Sequence, residues 1–158
     1  MSEAVQDPTR GEARVHVEAS PDDVYALLTD LERLPVLSPE NVRCEWLAPS
    51  SAMEVGARFR GHNKAGDYEW HADCEVTVLE PGRSFAYEVP PNFEYATTWR
   101  YDIEPDAGGP GCTVTETFHA PLLEQPEIYP GRIEGRRDNL ERACGITMAN
   151  LAAAFAID

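Results

Sequence analysis

Apolar and polar side chains alternate along several stretches of the chain, and helical patterns flank this region. Glu12 to Ala19 alternates between the two classes, which predicts a half-buried β-strand. Ser20 to Asp23 then supplies an N-cap serine, a proline for the first helical position and two acidic side chains, which predict the start of a helix. Towards the C-terminus, apolar residues recur at spacings of three and four and predict a long amphipathic helix: Leu140, Cys144, Met148, Leu151 and Phe155.

Between these helices, strand-like segments follow one another. Arg58 to Lys64 and Asp67 to Leu79 flank Ala65-Gly66, and a two-residue turn there predicts a hairpin that pairs Lys64 with Asp67. The same register pairs His62 with Glu69, Arg60 with His71, Arg58 with Asp73 and Gly61 with Trp70. It collects polar and charged side chains on one face and apolar ones on the other, and such cross-strand pairs contribute roughly 0.2–1 kcal/mol each.

Side-chain parity decides where the histidines point. All four lie on the polar faces of their predicted strands: His16, His62, His71 and His119. His62 and His71 could suggest an acid-base pair, but a titratable residue with a function normally lies in a pocket. We therefore expect these side chains to face solvent.

The opposite faces of the strands are rich in apolar and aromatic side chains. The first two inward sets are Trp70, Ala72, Cys74, Val76 and Val78, followed by Phe85, Tyr87 and Val89. Two later strands add Thr97, Trp99, Tyr101 and Ile103, then Val114, Glu116 and Phe118. Simple pairing around the turn Glu80 to Arg83 would oppose Glu75 to Glu88, so a bulge or a longer loop is the alternative there.

Glu116 is the one acidic residue that this pattern places on an apolar strand face. A carboxylate in such a place must be paired, hydrogen-bonded or protonated, because burying it alone is costly. It is therefore either a general acid or base, or a ligand anchor, or else a structural partner of Arg137 or of a tyrosine hydroxyl. The inward aromatic residues likewise form either plain core or a pocket for a flat hydrophobic molecule: Trp70, Trp99, Tyr87 and Tyr101.

Composition limits the class of protein. A chain of 158 residues, 42% of them apolar, corresponds to about one domain with room for an internal pocket, and we expect it to span residues 12–158 after a loosely ordered segment 1–11. The net charge of −15 argues against nucleic acid and anionic lipid as partners, since both require a surplus of Lys and Arg. The polar first eleven residues and the lack of roughly 18 consecutive apolar residues predict a cytoplasmic protein without membrane insertion.

The cysteines are far apart and form no Cys-x-x-Cys motif: Cys44, Cys74, Cys112 and Cys144. Without paired-histidine spacing either, a zinc site is not expected, and buried reduced thiols are the preferred interpretation. The sequence predicts neither a metal nor another cofactor.

Several segments together resemble one known superfamily. They are V-H-V-E-A-S-P-D-D-V-Y-A-L-L-T-D, V-G-A-R-F-R-G, W-H-A-D-C-E-V-T-V-L-E-P-G-R-S-F-A-Y-E-V, T-T-W-R-Y-D-I-E-P and C-T-V-T-E-T-F, followed by the closing helix. Over residues 12–156 the chain resembles the START-like, helix-grip superfamily, and more narrowly its polyketide cyclase/dehydrase and lipid-transport branch, the SRPBCC proteins. The resemblance implies an α+β fold: a curved antiparallel sheet of about seven strands around a long C-terminal helix, with two short helices after the first strand. It places the second short helix at Asp30 to Leu37 and the second strand at Val42 to Leu47.

The resemblance also implies a deep hydrophobic cavity that binds a small molecule. We expect inward residues to contact this ligand: Phe59, Asn63, Trp70, Cys74, Phe85, Trp99, Phe118, Leu140, Cys144 and Met148. In a polyketide cyclase or dehydratase, Glu116, Tyr87 and Tyr101 would transfer protons during ring closure or water loss. The alternative is a non-catalytic carrier or sensor of a lipid, quinone or aromatic metabolite, and a third hypothesis is a chaperone-activating interaction domain.

Two segments bear on these hypotheses. Pro121 to Gly131 contains Leu122, Leu123, Ile128 and Tyr129, and either covers the cavity mouth or forms a packed connector. Leu151 to Ile157 is apolar nearly all round the predicted helix, which makes a homodimer a hypothesis.

Overall fold

The computed structural model describes residues 7–125, 127 and 135–156. The elements in chain order are β1 (Arg10–Val17), α1 (Pro21–Leu28), α2 (Leu34–Leu37), β2 (Asn41–Trp46), β3 (Arg58–Ala65), β4 (Tyr68–Glu80), β5 (Ser84–Val89), β6 (Thr97–Pro105), β7 (Cys112–His119), a 3₁₀ helix (Pro121–Glu124) and α3 (Arg136–Ala154). The strands form one antiparallel sheet in the order β1-β7-β6-β5-β4-β3-β2. This open, curved sheet with a long C-terminal helix confirms the predicted α+β helix-grip fold.

Both predicted helices form for the expected reasons. The Ser20 hydroxyl accepts a hydrogen bond from the Asp23 backbone N–H at 3.1 Å, Pro21 opens α1, and Val24, Leu27 and Leu28 are buried. The predicted apolar stripe of α3 is confirmed for Leu140, Cys144, Met148 and Leu151, with Thr147 added to its buried face, but Phe155 is half-buried and lies just beyond the helix, which ends at Ala154. The side-chain amide of Asn150 donates to the Leu37 carbonyl at 2.8 Å, which ties α3 to α2.

Some boundaries differ from those predicted. β1 begins at Arg10 rather than Glu12, α2 is shorter than the Asp30–Leu37 helix, and β2 begins at Asn41. Among the described ranges, no helix has the length and hydropathy needed to cross a membrane. The homodimer hypothesis stays a prediction, and Ile157 lies outside the described residues.

The predicted register of the β3–β4 hairpin is wrong by two residues. Ala65 pairs with Tyr68, so Gly66 and Asp67 form the turn, and Gly66 has a φ of 62°. Two-residue hairpin turns need a positive φ at their first central position, which glycine adopts without the steric cost that the predicted Ala65 would have. The resulting pairs are Lys64 with Glu69, His62 with His71, Arg60 with Asp73, Arg58 with Glu75, Gly61 with Ala72, and Asn63 with Trp70.

A shift of two residues keeps every side chain on its predicted face, because side chains alternate with a period of two. The outer face gains close ion pairs: the Arg60 guanidinium donates to both carboxylate oxygens of Asp73 at 2.7 and 3.2 Å, and Arg58 donates to Glu75 at 2.9 Å. His71 is exposed and His62 half-buried on this same face. The face assignment was therefore correct although the pairing was not.

A β-bulge interrupts the pairing of β4 with β5. The predicted bulge forms, because the register shifts between Val76 and Val78. It does not replace the Glu75–Glu88 pairing as the alternative had it, since Glu75 still opposes Glu88. Val78 then pairs with Ala86 and Leu79 with Phe85, so the expectation that Val78 shares the face of Val76 is wrong. An inserted residue reverses the parity of the strand beyond it, and Leu79 packs against the core instead.

Candidate functional site

A cavity of about 270 Å³ lies between the sheet and α3. Most of the predicted site residues line it: Phe59, Asn63, Trp70, Cys74, Tyr87, Trp99, Tyr101, Glu116, Leu140 and Cys144. They come from β3, β4, β5, β6, β7 and α3, so the fold brings together residues that are distant in sequence. Their roles in binding or catalysis remain predictions.

Phe85, Phe118 and Met148 lie outside the cavity lining and are 0%, 2% and 1% exposed. Phe85 stacks on Tyr101 with ring centroids 5.9 Å apart. Phe118 pairs with Gly11 of β1, and its ring covers the glycine so closely that an added Cβ would lie 2.5 Å from it. These three belong to the packed core, because parity identifies the face of a sheet but not which part of that face borders a cavity.

Other lining residues were not among the predicted ligand contacts. They are Leu34, Ser38, Glu40, Asn41, Cys44, Gly61, Ala72, Val89, Thr97, Ala120, Leu122, Leu123, Arg136, Ala143 and Thr147. Gly61, Ala72, Val89 and Thr97 had been placed on inward faces. Residues in connections and at helix ends, such as Ser38, Ala120 and Arg136, carry no periodic signal that could have identified them. Leu122 and Leu123 of the 3₁₀ helix form part of the cavity wall, whereas Ile128 and Tyr129 lie outside the described residues.

Aromatic rings form much of the cavity wall. Phe59 meets Tyr87 edge to face at 5.4 Å between centroids, and Tyr87 in turn lies 5.5 Å from Phe85. Trp99 packs against Phe118 at 5.4 Å. Phe59 and Tyr87 have the edge-to-face geometry that aromatic pairs prefer, whereas the other two pairs are tilted by 44°. Each ring of the wall is thus packed against a neighbouring ring, which favours a preformed cavity.

Glu116 is the buried polar group of this wall. It pairs directly with Tyr101 across β6 and β7, is 3% exposed, and its Oε1 atom has no hydrogen-bond partner among the described residues. Burial raises the pKa of its carboxyl group, while hydrogen bonding from Tyr101 and Cys144 lowers it, and the net pKa is about 7. Arg137, one of the two partners considered, instead contacts Arg10, Asp138 and Glu141.

The hydroxyl and thiol groups of the cavity lining keep their protons. Burial, with a smaller contribution from the nearby Glu116 charge, raises the pKa of Tyr101 and of Tyr87 well above the usual range. Burial also raises the pKa of Cys74 and Cys144, and it raises that of Cys44 to about 11. All four cysteines are free, and no group of three metal-ligating side chains is assembled within the described part of the chain.

A second polar group lies where the cavity is less deeply buried. Arg136, the first residue of α3, has its guanidinium 3.9 Å from Glu40, and both side chains are about a quarter exposed (28% and 25%). The Asn41 amide donates to the Asn63 side-chain oxygen at 3.0 Å. We call these four residues the polar rim: Glu40, Asn41, Asn63 and Arg136.

The whole domain matches a known family model, "Polyketide cyclase / dehydrase and lipid transport", over residues 8–156. The chain belongs to this family. The predicted resemblance is therefore confirmed, and with it a helix-grip fold that binds ligands. No curated protein matches the sequence.

Solved structures of polyketide-cyclase-like proteins share the fold. A polyketide-cyclase-like protein of Corynebacterium glutamicum is 26% identical in sequence and superposes with a TM-score of 0.64. The match covers 92% of this chain and 90% of the Corynebacterium protein. The di-domain ARO/CYC protein BexL of the BE-7585A biosynthetic pathway is 16% identical, with 91% and 45% coverage and a TM-score of 0.66. The di-domain ARO/CYC protein StfQ of the steffimycin pathway is 19% identical, with 94% and 50% coverage and a TM-score of 0.65. The chain thus corresponds to about half of each di-domain protein.

Proposed function

We propose that this member of the cyclase/dehydrase family binds a flat polyketide in its cavity and catalyses ring closure or dehydration by proton transfer through Glu116. The observation that carries the proposal is a buried carboxyl group in an aromatic cavity whose Oε1 atom finds no hydrogen-bond partner in the described part of the chain. A buried polar atom without a partner is costly unless a ligand satisfies it.

The chemistry follows from the protonation states. A carboxyl group with a pKa of about 7 is present in both forms near neutral pH, which suits a general acid and base. In ring closure, ionised Glu116 removes a proton from the carbon between two carbonyl groups, the resulting enolate carbon attacks a ketone carbon, and the new alkoxide takes a proton back. In dehydration, the same group removes the α-proton and then protonates the departing hydroxyl, which leaves as water.

The tyrosines have a different role in this mechanism. Tyr101 and Tyr87 stay protonated because burial raises the pKa of both hydroxyls. Tyr87 therefore donates a hydrogen bond to the enolate oxygen, where negative charge develops, while the Tyr101 hydroxyl donates to Glu116 and stabilises its ionised form. The aromatic walls hold the chain folded and exclude water, which favours carbon-carbon bond formation.

The test uses a synthetic linear poly-β-keto thioester, with products resolved by liquid chromatography and mass spectrometry. Glu116→Gln should lower turnover by about 10²–10⁴-fold while calorimetric binding of a stable aromatic analogue is retained. The matched control is Glu69→Gln, on the outer face of β4, which should leave turnover unchanged. Full turnover in Glu116→Gln would remove this residue from the mechanism, and saturable binding by the wild type without any product would establish the non-catalytic carrier instead.

Occupation of the cavity itself is tested by filling it. Ala72 lines the cavity, whereas its neighbour His71 is exposed on the outer face. Ala72→Leu should weaken binding of the aromatic analogue at least tenfold, and His71→Leu should not change it. Equal binding by both variants would show that the ligand lies elsewhere.

A further inference from the structure

Arg136 is the one basic side chain among the described residues that line the cavity. Within the described part of the chain its polar contact is with Glu40, and at 3.9 Å this ion pair is longer than a hydrogen bond. A guanidinium group carries five N–H donors in a planar fork. Arg136 therefore has donors available for a ligand at the polar rim.

Arg136 and the residue of α3 that contacts Glu116 lie about two turns of helix apart. Arg136, Leu140 and Cys144 lie on one face of α3 and all line the cavity, and the Cys144 thiol interacts with Glu116. Eight residues of helix correspond to about 12 Å at 1.5 Å per residue. The cavity lining thus includes a cationic group from the first turn of α3 and a buried carboxyl group beside Cys144, and these two positions of α3 are about 12 Å apart along the helix axis.

We propose that the ligand of this cavity is a flat molecule with a carboxylate at one end, which pairs with Arg136, and a hydroxyl or ketone oxygen at the other, which hydrogen-bonds to Glu116. This inference rests on the proposed function and specifies the class of substrate. A carboxylate matches the guanidinium fork with two parallel hydrogen bonds. The molecule that spans both groups is an aromatic or polyketone acid rather than a neutral hydrocarbon or a simple lipid.

Glu40 competes with the ligand at this site. Its carboxylate lies 3.9 Å from the same guanidinium group, so an incoming anion must displace it and is repelled by its charge. The attraction of Arg136 and the repulsion of Glu40 both grow with the charge of the ligand, so Glu40 weakens the binding of an anion without favouring one charge over another. Neutralising Glu40 should therefore strengthen carboxylate binding.

Isothermal titration calorimetry with three probes tests the proposal: 6-hydroxy-2-naphthoic acid, its methyl ester, and 2-naphthoic acid, which lacks the hydroxyl group. The wild type should bind the hydroxy acid more tightly than the ester. Arg136→Gln should weaken binding of the hydroxy acid about tenfold and leave binding of the ester unchanged. Glu40→Gln should strengthen binding of the hydroxy acid and also leave binding of the ester unchanged. Glu116→Gln should reduce the advantage of the hydroxy acid over 2-naphthoic acid.

Arg136→Gln and Glu40→Gln are expected to change acid binding in opposite directions, and this distinguishes ligand recognition from a structural role of the ion pair. If the ion pair only held α3 in place, both variants would weaken the acid and the ester alike, and the proposal would be overturned. Equal affinities of the wild type for acid and ester would overturn it too, but would leave the proposed binding function intact. If none of the probes binds the wild type, this inference is overturned, whereas occupation of the cavity is decided separately by the Ala72→Leu comparison.

Discussion

Tyr101 and Glu116 are directly opposed residues of β6 and β7, and their side chains interact in the wall of the cavity. Burial raises the pKa of both groups, but their interaction acts in opposite directions on the two. It lowers the pKa of the carboxyl group because the hydroxyl stabilises the carboxylate, and it raises the pKa of the phenol because a second negative charge is disfavoured. The pair therefore combines a permanent donor with a carboxyl group that titrates near neutral pH.

Removal of the Tyr101 hydroxyl should raise the pKa of Glu116 further. Tyr101→Phe deletes a hydrogen bond that stabilises the ionised carboxyl group, whereas burial of that group persists. Infrared difference spectra against Glu116→Gln, recorded as a function of pH, should show the protonated-carboxyl band persisting to higher pH in Tyr101→Phe. Tyr87→Phe is the matched control, since Tyr87 does not contribute to the Glu116 pKa shift, and a similar displacement in both variants would contradict this account.

Glu116 should make the protein less stable as the pH rises. Its folded-state pKa of about 7 lies above the ordinary value of 4.5, so the folded state binds more protons than the unfolded state in this window. The contribution of Glu116 is therefore most favourable below the unfolded-state pKa and is lost as the pH rises through the folded-state pKa.

Urea denaturation of the wild type and Glu116→Gln should reveal this difference. Between about pH 5.5 and about pH 8, the free energy of unfolding of the wild type should fall by roughly 2 kcal/mol relative to that of Glu116→Gln, because each pKa unit corresponds to about 1.4 kcal/mol. Parallel pH dependences of the two proteins would mean that the carboxyl group titrates as if it were exposed.

His16 should also contribute a pH dependence, at the surface. Its Nε2 lies 2.7 Å from Asp106, and this hydrogen bond raises the pKa of His16 above 6.5. The stabilisation is fully present below the unfolded-state pKa and is lost as the pH rises through the higher folded-state value. An NMR titration of the His16 ring should show a lower midpoint in Asp106→Asn and a smaller decrease in Glu18→Gln, whose carboxylate is 3.4 Å from the ring. An unchanged midpoint in Asp106→Asn would show that the contact does not form in solution.

Gly111 should not tolerate a side chain. A Cβ atom there would lie 2.8 Å from the Val17 carbonyl oxygen and 2.9 Å from an Asp106 carboxylate oxygen, so backbone must move. Gly111→Ala should reduce the free energy of unfolding by about 1–3 kcal/mol, as overpacking typically does. In the nearby Gly109→Ala the closest contact would be an ordinary 3.6 Å, and a change of at most about 0.5 kcal/mol is expected. Similar thermal unfolding curves for the two variants would contradict the predicted clash.

Local chemistry explains which parts of the fold the sequence could predict. The start of α1 depends on Ser20 and Pro21, which act within one helical turn, so it can be predicted from neighbouring residues. The inward faces of β6 and β7 depend only on alternation with a period of two, so they can be predicted as well. The hairpin register was wrong because it depended on which turn position Gly66 occupies. The face assignments survived since the error was an even number of residues.

The sequence by itself determined the element order, the inward faces of the strands except beyond the bulge in β4, and the unusual position of Glu116, because these depend on periodicity and on the cost of burying charge. The tertiary structure decided which inward residues border the cavity, since Phe85, Phe118 and Met148 share the pattern of the lining residues but pack in the core. It also decided the chemical setting of Glu116, through Tyr101 on a neighbouring strand and Cys144 on α3. The juxtaposition of Glu40 and Arg136 likewise joins residues far apart in the chain, and no local pattern encodes the distance between them.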